Sequence, residues 1–76
     1  MSWLNNKNPR TEIENLFAQS KNPMNQAITW AKSIAQAEGL DPVKNQIQLI
    51  RELRRAEPSL DLKAATYLAT ETAKAS

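Results

Sequence analysis

The chain has 76 residues, ten Lys and Arg against eight Asp and Glu for a net charge of +2, one glycine, four prolines, and neither cysteine nor histidine. That composition excludes a disulfide framework, a thiol nucleophile, a histidine general base and the usual zinc ligands. With only 5% aromatic residues the chain makes one small domain with a thin core, good for about 3 to 5 kcal/mol by itself.

Residues 1–7 carry no hydrophobic period and read as a flexible N-terminal arm, leaving residues 8–76 as a single helical domain. Within the arm, Trp3 and Leu4 have two open fates: folding back on the core, or serving as an apolar peg for a partner. Together with Trp30 and the thin core they motivate an expectation of self-association. The opening MSWLNNKNPR lacks the apolar run of a secretory signal, and no stretch approaches membrane-spanning length. The expectation is a soluble cytoplasmic protein with no membrane partner.

Asn8 and Pro9 form a cap-then-proline signal that opens a helix at about 9–20, with Ile13, Leu16 and Phe17 on one side. Asn22 and Pro23 repeat the signal and open a second helix at about 23–38. Its stripe is Met24, Ala27, Ile28, Ala31, Ile34 and Ala35, with Trp30 at the edge. Gly39, the sole glycine, and Leu40 after it predict a Schellman stop. Asp41 and Pro42 then predict a third helix over 42–56, with Val43, Ile47, Ile50 and Leu53 as its core face, widened by Leu49 and Ala56. Opposite that face Lys44, Gln48, Arg51 and Arg55 fall in line with Arg54 beside them, a basic ridge. Pro58 forbids a continuous helix. A fourth helix, at about 60–74 with Ser59 as N-cap, carries a narrow stripe of Leu62, Ala65, Leu68, Ala69 and Thr72. No stretch alternates apolar with polar, so the predicted fold class is all-α: a small bundle of four helices whose last two form an αα-hairpin.

Ile47, Gln48, Leu49, Ile50, Arg51 and Glu52, followed by Leu60, Asp61, Leu62, Lys63, Ala64, Ala65 and Leu68, resemble the helix-turn-helix of the C-terminal domain of the bacterial ribosomal stalk protein. The resemblance covers residues 43–72. Gln48 and Thr66 stand where that family usually keeps lysines, Asp61 replaces its glycine, and the turn is longer. The family domain also has strands, which this chain does not predict. What the resemblance implies is a similar hairpin and a similar kind of contact, a surface that docks another protein as the stalk docks translational GTPases. On that basis Ile47, Arg51 and Lys63 become candidate contact residues.

No catalytic constellation is expected. Glu12 and Glu14 are i, i+2 neighbours at a helix start and do not face each other, and Tyr67 reads as a rim residue. A DNA-reading helix-turn-helix fits at Ala35, Gly39 and Leu40 but fails at Asn45 and Gln48, where it needs apolar residues. The ridge is either an ordinary solvated face, with Glu52 paired to Arg55, or a docking site. The function expected is a non-catalytic protein–protein interaction module without cofactor, binding an acidic protein surface through Lys44, Ile47, Gln48, Arg51, Arg55 and Lys63. The alternative is a nucleic-acid binder gripping the phosphate backbone.

Overall fold

In a computed structural model the described residues are 9–75, and they form α1 (Pro9–Leu16), α2 (Pro23–Ala37), α3 (Gln46–Ala56) and α4 (Leu62–Lys74). No strand occurs among the described residues, so the four-helix, all-α expectation is met. The expectations for the arm with Trp3 and Leu4, and for Asn8 as a cap, lie outside the described residues.

The packing is organised by α2 and α4. Each meets the other three helices, whereas α1 and α3 do not touch. Both central helices bury small side chains, Ala27, Ala31 and Ala35 on α2 and Ala64, Ala65 and Ala69 on α4. Small side chains let helix axes approach closely, which is how a chain so poor in large apolar residues closes a core. The bulk comes from Ile13 on α1, Leu49 and Leu53 on α3, Leu60 in the last connection, and Leu68 on α4, all fully buried. Thr72 is buried among them and donates its hydroxyl to the Leu68 carbonyl at 2.7 Å, so its polar atom is satisfied within its own helix. Phe17 and Trp30 close the α1–α2 side, with ring centroids 5.8 Å apart and a tilt of 53°.

Charged groups tie the outer surfaces together. Lys32 on α2 donates to the Ala75 carbonyl at 2.9 Å, placing a cation at the negative end of α4. Arg10 on α1 lies beside the Tyr67 hydroxyl and 3.3 Å from Glu14, and both neighbours hold its guanidinium above its ordinary pKa.

Helix boundaries follow the capping chemistry, with three differences from the sequence expectation. The first helix ends at Leu16 rather than near Ser20, because the chain winds down through i→i−3 bonds from Ala18 to Asn15 and from Ser20 to Phe17. The third begins at Gln46, not Pro42. A single closed turn over 41–45 intervenes: the Asp41 carboxylate does accept the Val43 and Lys44 amides as expected, but Asn45 turns its side chain back to the Asp41 N–H and adopts φ −116, outside the helical range. The fourth helix is capped by Asp61, whose carboxylate accepts the Ala64 amide at 2.7 Å. Ser59 does not cap it; its hydroxyl donates to Glu57 at 2.6 Å.

The stop after α2 forms as predicted. Gly39 has φ +67, its N–H donates to Gln36 and the Leu40 N–H donates to Ala35, which is the Schellman pair. At the end of α3, Glu57 is driven to an extended conformation by the proline that follows, and the chain reverses through Pro58 and Ser59 into α4.

Candidate functional site

The outer side of α3 is where the apolar and cationic residues meet. Leu49 and Leu53 face the core and Ile50 is half-buried. Ile47, expected in the core, is instead 78% exposed, and Val43 is 59% exposed in the preceding turn. Ala56, also assigned to the buried stripe, is exposed. Geometry explains the correction: at roughly 100° per residue, Ile47 stands about 120° around the helix from Leu53 and about 160° from Leu49. The apolar arc is therefore too wide for two neighbours to cover. The packing of α2 and α4 takes the Leu49–Leu53 side and leaves Ile47 in water.

Leu62 has a similar fate. It is the first residue of α4, immediately after the Asp61 cap, and it is 57% exposed although its spacing had placed it in the buried stripe. Ile47, Ile50, Arg51, Arg54, Arg55, Pro58 and Leu62 together line an open groove of ≈ 620 Å³ that runs along α3 and across the entry to α4. Its floor is apolar and its rim is cationic.

The six residues singled out from the sequence divide between the groove and its surroundings. Ile47, Arg51 and Arg55 line it. Lys44, Gln48 and Lys63 are exposed but lie outside its lining, so the straight ridge from Lys44 to Arg55 is only half of the surface. Sequence reasoning missed Leu62 and Pro58 as lining residues, gave Ile50 to the core alone and left Arg54 at the margin. A usable signal existed for Leu62, since an apolar residue directly after a capping aspartate sits at a helix end, where fewer neighbours cover it.

The arginines are sparsely paired. Glu52 approaches Arg55 at 3.6 Å, the i, i+3 pair anticipated, but the Arg55 side chain is 75% exposed and such a pair contributes little. Arg54 reaches back to the Leu60 carbonyl through its Nε at 3.4 Å, steadying the hairpin. Arg51 makes no ion pair among the described residues. Three guanidinium groups thus face one carboxylate around the groove, leaving a local positive excess that the net charge of the chain conceals.

Elsewhere, Glu14 is engaged by Arg10, while one carboxylate oxygen of Glu12 is buried with no hydrogen-bond partner among the described residues. No group of three or more acidic residues among the described residues is arranged to hold a metal ion. No described helix is long and apolar enough to cross a membrane. No family model, curated protein or solved structure matches the chain.

Proposed function

We propose that the protein is a non-catalytic interaction module that docks another protein on the outer side of α3 and the first turn of α4. The observation that carries this reading is the exposure of Ile47 in the first turn of α3, a helix that buries Leu49 and Leu53 completely. A small domain with so little apolar material leaves a branched aliphatic side chain in water at a cost in solubility, and a partner that covers it recovers that apolar area at about 25 cal/mol per Å². The resemblance of the hairpin to that of the ribosomal stalk points in the same direction, toward a surface of mixed apolar and basic side chains that receives a protein. A cysteine-free chain works unchanged in a reducing compartment, and the cytoplasm is the compartment we propose.

The arginines favour a second reading, in which the same rim grips nucleic-acid phosphates. The two are separated by capture from a lysate of the source cells, with and without nuclease, comparing the wild-type chain with an Arg51→Glu, Arg55→Glu double variant. Identified protein partners that survive nuclease and are lost with the double variant are the expected result. Partners indifferent to both charge reversals overturn the docking site. Retention of nucleic acid alone, washing off steeply with salt, transfers the function to phosphate binding. We also propose self-association, on the ground of the thin core, and sedimentation over a range of concentrations tests it; a strictly monomeric species with a high melting point removes it.

A further inference from the structure

Resting on the protein-docking reading, we infer that the groove receives a short acidic amphipathic helix of its partner, laid along α3, with an apolar stripe seated between Ile47, Pro58 and Leu62 and carboxylates meeting Arg51, Arg54 and Arg55. Length is the first argument. The α3 part of the lining runs from Ile47 to Arg55, which at 1.5 Å per residue is about 12 Å, a little over two helical turns.

Backbone chemistry is the second. An extended peptide needs an exposed strand edge to satisfy its N–H and C=O groups, and the described residues contain no strand to supply one. A helix brings its own hydrogen bonds and asks the groove only for side-chain contacts. The floor meets that demand, because Ile47, Pro58 and Leu62 offer no polar side-chain atom.

Charge complementarity is the third and fixes the sign. Arg51 is unpaired among the described residues, Arg55 has only a loose exposed contact with Glu52, and Arg54 uses its Nε alone. Arg51 and Arg54 lie four and seven residues beyond Ile47, so they rise on the same side of the helix as the exposed isoleucine. An occupant with an apolar residue every third or fourth position and Asp or Glu beside that stripe matches both features at once. A phosphate backbone would use the arginines and leave the apolar floor uncovered.

The test is a titration of the nitrogen-15-labelled chain with three probes. One is a hydrocarbon-stapled helix of leucine and glutamate, with leucines at i, i+3, i+4 and i+7; the second has the same composition scrambled so that no stripe forms; the third is a twelve-nucleotide single-stranded DNA. The expected result is shifts at Ile47, Arg51 and Leu62 with the stapled helix, about tenfold tighter than with the scrambled peptide, weakened by salt and lost in Arg51→Glu, whose own spectrum reports that it is folded. Equal binding of the two peptides, shifts that avoid Ile47 and Leu62, or no binding of the stapled helix overturns the helical occupant while leaving protein docking to the capture experiment. Shifts at these residues with DNA alone overturn both. Shifts at the same residues on concentrating the protein without any probe assign the groove to a second copy of the chain and also overturn the inference.

Discussion

Asp41 and Asn45 hold each other from both ends: the Asp41 N–H donates to Asn45 Oδ1 at 2.9 Å, and the Asn45 N–H donates to the Asp41 carbonyl at 2.7 Å. The four-residue reach closes one turn and then stops, since the Asn45 side chain points backward and its backbone leaves the helical region. The start of α3 is thereby set at Gln46. Asn45→Ala removes the side-chain half of this clasp. The expected loss is about 0.5 to 1.5 kcal/mol, seen as a lower melting temperature together with faster hydrogen exchange at the Asp41 amide. Unchanged exchange there would mean that the clasp does not persist in solution.

The Asp41 carboxylate stabilises the same turn in a pH-dependent way. The Val43 and Lys44 amides donate to its ionised form at 2.8 and 3.2 Å, and they hold its pKa below the ordinary 3.8. Since the folded value is the lower one, the contribution is complete above the unfolded-state pKa, persists through neutral pH, and disappears as pH falls through the folded value. A carbon-13 titration of the Asp41 carboxyl is expected to give a midpoint below 3.8. A midpoint at or above that value removes the two amide bonds as the cause.

Two candidate caps for α4 make opposite predictions. Asp61 accepts the Ala64 amide, so Asp61→Ala is expected to cost about 1 kcal/mol. Ser59 is engaged with Glu57 on the surface, and Ser59→Ala is expected to fall within about 0.5 kcal/mol of wild type. Chemical denaturation of the two variants side by side decides between them; a larger loss for Ser59→Ala would return the cap to the serine.

Much of the fold is legible because prolines and the single glycine act locally. Pro9 and Pro23 begin helices where they stand, Gly39 ends one, and Pro58 forces Glu57 out of the helix. Pro42 misleads for an equally local reason, because Asn45 is a second polar residue able to close a turn before the helix proper. The candidate site is less legible. Periodicity identifies an apolar arc on α3 but not which part of it a neighbour covers, and that depends on how α2 and α4 sit against Leu49 and Leu53. The exposed position of Ile47, on which the groove depends, is a tertiary fact, whereas that of Leu62 follows from its place at a helix end.

Leu53 and Ile47 therefore give the sharpest comparison on one helix. Leu53 is fully buried, and Leu53→Ala removes transfer free energy and leaves a cavity, together about 2 to 5 kcal/mol. Against a total of about 3 to 5 kcal/mol for a domain of this size, that substitution is expected to leave the chain largely unfolded at room temperature by circular dichroism. Ile47 is 78% exposed, so Ile47→Ala is expected to shift stability by no more than about 0.5 kcal/mol while weakening partner binding. If Ile47→Ala instead lowers the melting temperature as far as Leu53→Ala does, and does so in a concentration-dependent way, the isoleucine is covered by another copy of the chain in solution. The groove would then be an interface between subunits and not a free docking surface.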